Sequence, residues 1–257
     1  MSGRLIPIAA LATLLLAAGC HDDNHVVALD LPPHRVEGVY SVTGDGQVTI
    51  YWQANQDDDI AYYKVYRNSA PTGTFHLIGT STGTSYVDHD VINGDTYYYA
   101  VSAVDQAGQE SAELSYENVF DTPRPEGFNV TLTSEQDSAA TSAWDFSAYA
   151  RVSSADTSAD IIYSADAGSG SYLVLAAPGT LIQDTGYVDL VYVDYAPPAG
   201  WSSDGVVEAI PGHSYIVLTR DNHYAKFHVN ARDGSSMVMD WAYQIAPDNP
   251  ELVRRLP

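Results

Sequence analysis

Residues 93–104 read Asn-Gly-Asp-Thr-Tyr-Tyr-Tyr-Ala-Val-Ser-Ala-Val, and this stretch decides the fold of the first half of the chain. Its first three residues are a turn signal, because Asn and Gly tolerate the backbone angles that tight turns require. From Tyr97 onward the pattern alternates with a period of two, which predicts a strand. One face of that strand carries Tyr97, Tyr99, Val101 and Ala103.

Shorter runs upstream show the same alternation. They are 48–52, 63–67, 75–79 and 86–87, each separated from the next by turn-forming residues. In the first of them Val48, Ile50 and Trp52 share a face. Several short strands at regular spacing are typical of an all-β sandwich. We therefore expect residues 32–121 to form one such domain.

The strand of Trp52, the segment Tyr63-x-Val65-Tyr66-Arg67 and residues 93–104 stand in the order and spacing of a known family. Residues 32–121 resemble a fibronectin type III domain, an immunoglobulin-like sandwich. The resemblance implies that Trp52 is a core residue. It also implies that Tyr97 is the corner tyrosine, whose hydroxyl hydrogen-bonds to upstream backbone. There is no Arg-Gly-Asp triplet, so the adhesion known for some members is not implied.

Five carboxylates are expected at one end of this sandwich, because the two loops that carry them lie at the same end of the family's fold. They are Asp57, Asp58, Asp59, Asp105 and Glu110. Calcium takes oxygen ligands, so a calcium site is one hypothesis. The spacing of known calcium loops is absent, and a solvated acidic rim is the alternative.

The second half of the chain is also predicted to be mostly antiparallel β. Residues 122–128 contain two prolines and are expected to form a stiff linker. Alternation returns at 128–132, 172–175 and 188–193, and helical periodicity is weak, so residues 129–257 are expected to form a second β-rich domain. The fold class expected for the whole chain is therefore all-β.

The clearest element of this half is a hairpin, residues 213–220 and 223–230 around Asp221-Asn222. If Arg220 pairs with His223, one face is core. That face carries Ser214, Ile216, Leu218, Ala225, Phe227 and Val229, and the other carries His213, Tyr215, Val217, Tyr224, Lys226 and His228. A third strand is expected at 236–244.

This register places His213 and His228 side by side, which suits a divalent metal ion better than haem, whose two axial ligands approach from opposite sides. Strand histidines without a ligand are the alternative. Tyr215 and Tyr224, with Trp201 and Trp241, are candidates for an aromatic binding face. Ordinary β packing is the alternative for them.

Three segments carry a second resemblance: Gly212-His213-x-Tyr215, Asp221-x-x-Tyr224-Ala225-Lys226-Phe227 and Trp241-Ala242-Tyr243-Gln244. Residues 129–257 are similar here to HmuY-like bacterial lipoproteins, with weaker similarity at 144–147 and 159–162. The resemblance implies an all-β domain, and members of that family bind haem at the cell surface. It lies in scaffold strands and does not assign haem ligands.

The first residues are typical of a secretion signal. An apolar, uncharged run at 5–18 follows one positive charge and is too short to span a bilayer. Residues 14–20, Leu-Leu-Leu-Ala-Ala-Gly-Cys, resemble the lipobox of bacterial lipoproteins. The resemblance implies removal of residues 1–19 and acylation of Cys20 with palmitate-like chains, two of which anchor stably. The alternative is a plain signal peptide with an incidental cysteine.

Residues 20–31 would then be a tether from a membrane. Because His21, not Asp, follows the cysteine, the family's sorting behaviour implies the outer membrane of the bacterial envelope. Cys20 is the only cysteine, so no disulfide framework is expected. The formal charge of −22 argues against nucleic acid and anionic lipid headgroups as ligands.

No catalytic motif is present. The chain lacks Gly-x-Ser-x-Gly, His-Glu-x-x-His, a glycine-rich phosphate loop and Cys-x-x-Cys. The sequence therefore predicts a membrane-anchored, non-catalytic binding lipoprotein exposed at the cell surface or in the periplasm. The fibronectin type III module would present the β-rich domain, whose ligand is an unknown small molecule, glycan or protein. One alternative is haem or divalent-metal binding. Another is a small glycan-acting hydrolase or its accessory module, since glycosidase carboxylates have no local spacing.

Overall fold

The computed structural model describes residues 30–115 and 119–252. Among these residues it is all-β: seventeen strands and two single-turn 3₁₀ helices are present. All strand pairings are antiparallel. Every described strand belongs to one compact unit, Pro32–Pro257. The predicted fold class is confirmed.

The first seven strands form a fibronectin type III sandwich. They are β1 (Tyr40–Gly44), β2 (Gln47–Tyr51), β3 (Ile60–Asn68), β4 (His76–Ser81), β5 (Ser85–Asp88), β6 (Tyr97–Asp105) and β7 (Val119–Asp121). A sheet of order β1-β2-β5 faces a sheet of order β4-β3-β6-β7. Their inner faces bury Val48, Ile50, Trp52, Tyr63, Val65, Tyr99 and Val101.

The strand β6 begins at Tyr97, where the alternation of the sequence begins. Its inner residues Tyr99 and Val101 are buried. The Tyr97 hydroxyl accepts a hydrogen bond from the backbone N–H of Ile92 at 3.0 Å, which fixes the entry to the strand. Trp52 is buried, with its ring 5.4 Å from that of Tyr63.

The other ten strands form a second sandwich. They are β8 (Glu126–Thr133), β9 (Ala143–Asp145), β10 (Ala150–Val152), β11 (Ile161–Asp166), β12 (Ser171–Ala176), β13 (Leu181–Gly186), β14 (Val206–Glu208), β15 (Ser214–Leu218), β16 (Tyr224–Arg232) and β17 (Ser236–Gln244). The 3₁₀ turns are Ala139–Thr141 and Leu190–Tyr192. The two sheets have the orders β10-β9-β11-β12-β14 and β13-β15-β16-β17-β8. A shared core includes Trp144, Tyr163, Tyr215, Phe227, Met239 and Trp241.

The predicted register of the β15–β16 hairpin is wrong by one residue. Leu218 pairs with Tyr224 and Tyr215 pairs with Phe227. The chain closes through Thr219 and His223, whose backbones are hydrogen-bonded, with Asn222 at φ 63°. A three-residue loop with a left-handed residue replaces the two-residue turn.

This one-residue shift moves every side chain of β15 to the other face. Tyr215 and Val217 therefore lie in the core with Ala225 and Phe227. Ile216 lies on the opposite face, where it packs in a smaller cluster with Val193, Ala196 and Leu252. Both faces of the hairpin are covered, so hydrophobicity alone could not choose between the two registers.

The connection between the sandwiches is buried at residues 122–125. The carbonyl of Pro123 accepts a hydrogen bond from Gly94, and that of Pro125 accepts one from Tyr243. The N–H of Arg124 donates to Gly44 at 3.1 Å. The segment is thus bonded to both sandwiches, and strand β8 begins at Glu126, inside the predicted linker. None of the described residues forms a helix long and apolar enough to span a membrane.

Candidate functional site: an exposed tyrosine loop

Three exposed tyrosines lie on residues 187–195, which we call the tyrosine loop. Tyr187 is 79% exposed, Tyr192 is 61% exposed and Tyr195 is 51% exposed. The carboxylate of Asp189 lies on the same loop, and Asp189 is exposed. Exposed aromatic side chains concentrated in one segment mark interaction surfaces, because each leaves apolar area in water. The tyrosine loop is therefore the candidate functional site.

Buried polar groups hold this loop in place. The Lys226 amine on β16 donates to the carbonyls of Leu190 at 2.6 Å and Val193 at 2.9 Å. The N–H of Leu252 donates to the carbonyl of Asp194 at 2.8 Å. A loop already fixed by such bonds loses less conformational entropy when it binds a ligand. The site is thus preorganised.

Lys226 is fully buried, and burial lowers the pKa of its amine well below the usual value. Its side chain leaves β16 on the face that carries Ile216. There it satisfies two carbonyls of the 3₁₀ turn Leu190–Tyr192 and of the residue that follows. The Lys226 amine therefore attaches the tyrosine loop to the sheet.

The tyrosine loop is not apparent from the sequence, because the alternation at residues 188–193 predicts a strand. The structure instead gives a 3₁₀ turn in which Val193 is buried while Val191 and Tyr192 are exposed. Lys226 donates hydrogen bonds to the carbonyls of Leu190 and Val193, which in a sheet would accept them from a neighbouring strand. The sequence did hold one indication of this loop: Lys226 stands within the apolar run 224–229. A buried amine is rarely left unpaired, so another segment was needed to supply its partners.

The structure does not bring His213 and His228 together on one face. The imidazole Nδ1 of His213 lies 3.0 Å from the carboxylate of Asp184, which is paired with Tyr215 on the core face. His228 pairs with Ser214, and its Nδ1 lies 2.9 Å from that hydroxyl on the other face. The side-by-side arrangement is wrong because the register is wrong. A metal or haem role for either residue stays a prediction.

The predicted aromatic face is not exposed as expected. Tyr215 is fully buried, and its hydroxyl donates to the Glu208 carbonyl at 2.6 Å and accepts from the Ile210 N–H at 2.9 Å. Trp241 is also buried in the core. Tyr224, with Trp201, is half-buried beside the cluster under the tyrosine loop. Ordinary β packing, the alternative reading, fits Tyr215 and Trp241.

The five carboxylates of the first sandwich are divided by their partners. Glu110 accepts hydrogen bonds from Lys64 and Tyr66 at 2.5 Å and from Ser102 at 2.6 Å. Burial raises the pKa of Glu110, but these hydrogen bonds outweigh it and leave the pKa below its usual value. The Glu110 carboxylate thus joins β3 to β6 through its hydrogen bonds.

The remaining four carboxylates behave differently from one another. Asp57 is bonded to His34, and Asp58 is exposed. Carboxylate oxygens of Asp59 and Asp105 lie within 4.8 Å of each other, and Asp105 also accepts from the N–H of Gln109 at 2.8 Å. Asp59 and Asp105 of the predicted set thus come together, and Asp30, which the sequence did not suggest, is the third carboxylate of the group. Calcium binding stays a prediction.

Two buried carboxyls of the second sandwich have pKa values shifted in opposite directions. Burial raises the pKa of Asp160 to about 6. Burial also raises the pKa of Asp145, but hydrogen bonds led by that from Ser147 leave it below the usual value. Such a pair can supply an acid and a base. However, both residues are at most 4% exposed and bond the backbone of residues 146–148, so substrate has no access to them.

Asp160→Asn is expected to stabilise the protein above about pH 7 by about 1–3 kcal/mol and to have little effect below about pH 4. The usual pKa is 3.8 and the folded value is about 6, so protonated Asp160 favours folding. That contribution is complete below pH 3.8 and is lost as the pH rises through 6. Urea unfolding of both proteins across this range measures the difference. A difference that is constant with pH would contradict the assignment.

The lipobox lies outside the described residues, so the structure gives no information on Cys20.

Comparison with known proteins gives partial matches only. No protein-family model matches the chain. An amylopullulanase of Thermoanaerobacterium saccharolyticum is 37% identical over 102 residues, which are 39% of this chain and 8% of that enzyme. The chain spans less than a tenth of the length of the curated relatives it matches. A match of this size fits an accessory module.

Two solved structures are also similar. The match to an Fn3-like protein from Clostridium thermocellum covers 38% of this chain and all of that protein. The two are 28% identical there, with a TM-score of 0.31. A DUF4466 family protein from Parabacteroides merdae is 12% identical with a TM-score of 0.44, over 84% of this chain and 95% of that one.

Proposed function

We propose that this protein is a non-catalytic, lipid-anchored binding protein of the bacterial cell envelope whose tyrosine loop binds a glycan. The fibronectin type III sandwich acts as an accessory module, and the second sandwich carries the binding surface. The observation that carries the proposal is the exposure of Tyr187, Tyr192 and Tyr195 on a loop held by Lys226.

A neutral glycan suits this surface chemically. The apolar face of a sugar ring stacks on an aromatic ring, and tyrosine adds a hydroxyl that hydrogen-bonds sugar hydroxyls. The exposed carboxylate of Asp189 offers further acceptors. The net charge of −22 would repel polyanionic ligands. The partial matches to proteins named amylopullulanase support a polysaccharide over a protein as the ligand.

Further contacts fix the start of the tyrosine loop, and a fixed loop favours binding. Ser214 donates to the Val188 carbonyl at 2.5 Å, and the Tyr187 ring stands edge-on to the His213 imidazole at 4.2 Å. The most exposed tyrosine therefore packs against His213, and the residue that follows it is bonded to Ser214 at the start of β15. A ring fixed in this way loses little side-chain entropy when a sugar stacks on it.

Pullulan is the probe for this proposal, with the purified full chain in affinity gel electrophoresis. We expect pullulan to retard the protein, and a Tyr187→Ala, Tyr192→Ala, Tyr195→Ala triple variant to bind at least tenfold more weakly. Loss of several aromatic contacts of about 0.5–1.5 kcal/mol each accounts for that change. The matched control is Leu77→Ala with Ile92→Ala, two side chains that are 53% and 67% exposed on the other sandwich.

Retardation of the triple variant equal to that of the unaltered protein would refute the role of the tyrosine loop. Absence of retardation with pullulan, amylopectin and xylan would refute glycan binding. Release of reducing sugar from any of the three would favour the hydrolase alternative.

The lipid anchor is tested separately by mass spectrometry of the protein made in a bacterium. We expect the mature chain to begin at Cys20 with added acyl mass, and Cys20→Ser to remain uncleaved. An unmodified Cys20 thiol, or a first residue elsewhere, would contradict the anchor without affecting the glycan proposal.

A further inference from the structure

Tyr149 has a backbone conformation that a tyrosine rarely adopts. Its φ is 54°, in the left-handed region, and the other non-glycine residues with positive φ in the described ranges are all Asn or Asp. Asn and Asp tolerate that region, whereas a bulky side chain there is strained. The turn after β9 holds Tyr149 in place, because the Asp145 carboxylate accepts the N–H groups of Ser147 and Ala148 at 2.9 and 3.0 Å. Strained backbone of this kind is concentrated at binding sites.

The ring of Tyr149 is fixed on one face and open on the other. It stacks on the buried Trp241 ring, with 5.6 Å between centroids and 18° between planes, and it meets the Tyr243 ring edge-on at 6.2 Å. Tyr149 is nevertheless 45% exposed. Because Trp241 covers one face, the exposed area lies on the opposite face and the ring edge. The strained turn thus presents a flat aromatic surface that is already held in place.

This ring lines a cleft of about 410 Å³ between the edges of the two sheets of the second sandwich, which we call the edge cleft. Strand β8 is an outermost strand of one sheet, and β10 is an outermost strand of the other. Besides Tyr149, the cleft is lined by Asn129, Val130 and Thr131 on β8, Trp144 on β9, and Ala150 and Arg151 on β10. Its volume lies in the range of small-ligand sites, about 300–1,000 Å³.

Polar groups beside the ring keep unused hydrogen-bonding capacity. Arg151 is exposed, and its Nη1 donates to the Thr131 carbonyl at 3.3 Å, from one edge of the cleft to the other. Within residues 30–115 and 119–252 its guanidinium forms no other hydrogen bond. Asn129 is exposed with φ 55°, and its side-chain amide has no hydrogen-bond partner in that part of the chain. Donors therefore stand on both sides of the cleft.

The charges around the edge cleft favour a neutral ligand. Arg151 lines the cleft as a cation. The Asp240 carboxylate accepts the N–H of Asn129 at 2.7 Å. Burial raises the pKa of the Tyr149 hydroxyl, and the charge of Asp45 raises it further, so Asp45 also acts on the cleft. One cation beside two carboxylates leaves no excess positive charge to attract an anion.

We propose that the edge cleft is a second glycan-binding subsite, in which one neutral sugar ring stacks on Tyr149 and its hydroxyls bond to Arg151 and Asn129. The apolar face of a sugar ring packs on the open face of the tyrosine ring. Sugar hydroxyls donate and accept, so they match a guanidinium and a side-chain amide. A ring that is fixed before binding loses little entropy when the sugar docks. The inference rests on the proposed function for its class of ligand, but not on the tyrosine loop.

Affinity gel electrophoresis of the full chain in pullulan tests the edge cleft. Tyr149→Asn removes the ring and introduces a residue that suits positive φ, and we expect it to weaken binding at least about fivefold. Tyr149→Phe keeps the ring and is expected to bind within about twofold of the unaltered protein. The matched control is Leu181→Asn, at a side chain that is 40% exposed on the opposite edge of the sheet that contains β8, and it is expected to leave binding unchanged.

Arg151→Met decides the matter if Tyr149→Asn does not fold, since Arg151 is exposed. We expect this change to weaken pullulan binding at least about threefold through the lost hydrogen bonds. Pullulan binding that Arg151→Met and every folded variant without the Tyr149 ring leave intact would overturn the proposal.

Addition of Tyr149→Asn to the triple variant of the tyrosine loop separates this inference from the proposed function. We expect binding to weaken further in that background. No effect of Tyr149→Asn in either background would overturn the edge cleft and leave the tyrosine loop intact. Weakened binding by Tyr149→Asn, with normal binding by the triple variant, would support the edge cleft and refute the tyrosine loop. Absence of retardation of the unaltered protein by pullulan, amylopectin and xylan would overturn both.

Polygalacturonate in the gel, at the same ionic strength, tests the expected neutrality of the ligand. We expect it to retard the unaltered protein less than pullulan does, because its carboxylates meet the acidic groups beside the cleft. Stronger retardation by polygalacturonate than by pullulan, abolished by Tyr149→Asn, would overturn the assignment to a neutral sugar.

Discussion

Phe227→Ala is expected to lower the free energy of unfolding by about 3–5 kcal/mol. Phe227 is fully buried at the centre of β16, and its ring stacks on that of Tyr215 with 4.7 Å between centroids. Removing the ring leaves a cavity between two five-stranded sheets, which hydrogen-bonded strands cannot close without breaking their ladders. Equilibrium unfolding in urea, followed by circular dichroism, measures the change.

The control for this prediction is Tyr187→Ala, which removes an aromatic ring of similar size that is 79% exposed. That change is expected to alter the stability by less than about 0.5 kcal/mol. A loss below about 1 kcal/mol for Phe227→Ala would mean that the core is not packed around β16 as the register requires.

Gly94→Ala is expected to lower the free energy of unfolding by about 2–4 kcal/mol, since two separate penalties add. Gly94 has φ 90°, a conformation that L residues rarely adopt. An added Cβ would also lie 2.7 Å from Cγ1 of Ile245, which belongs to the other sandwich. The N–H of Gly94 donates to the Pro123 carbonyl at 2.8 Å, so the backbone cannot move away without losing that bond.

Gly46→Ala separates the two penalties. Gly46 has φ 60°, and an added Cβ there would meet no atom within 4 Å, so only backbone strain of about 1 kcal/mol is expected. In a double-mutant cycle, Gly94→Ala and Ile245→Ala are expected to couple by about 1 kcal/mol or more. Equal losses for Gly94→Ala and Gly46→Ala, with no coupling to Ile245, would show that the sandwiches do not press together at this point.

The fibronectin type III sandwich was predictable because its information is local. A turn at Asn93-Gly94 and strict alternation from Tyr97 specify where β6 starts and which face is buried. The all-β character of the second half was predictable for the same reason. Its detailed arrangement was not, because the two faces of the β15–β16 hairpin are almost equally apolar.

The register of that hairpin is the feature that the apolar pattern could not predict. The choice between two registers depended on the backbone conformation of Asn222, whose positive φ creates a three-residue loop. Asn adopts this conformation more readily than most residues, so the alternative turn was available from the sequence. The consequence for the site was large, since it buried Tyr215 and placed His213 and His228 on opposite faces.

The tyrosine loop and the connection at residues 122–125 depend on contacts between residues far apart in the chain. Lys226 donates to the carbonyls of residues 190 and 193, and the buried Arg124 donates its backbone N–H to Gly44 of β1. A lysine or an arginine in isolation is usually solvated. Nothing within a short window of sequence shows that these two are buried.

The bonded connection at residues 122–125 has a practical consequence for anyone who wishes to study the halves apart. A protease cleaves accessible, locally unfolded chain, and exposed loop tips are its preferred sites. Here the boundary between the sandwiches is shielded on both sides, so digestion is expected to begin elsewhere, in surface loops. Fragments defined by trypsin or subtilisin would thus not report the division that the two folds suggest.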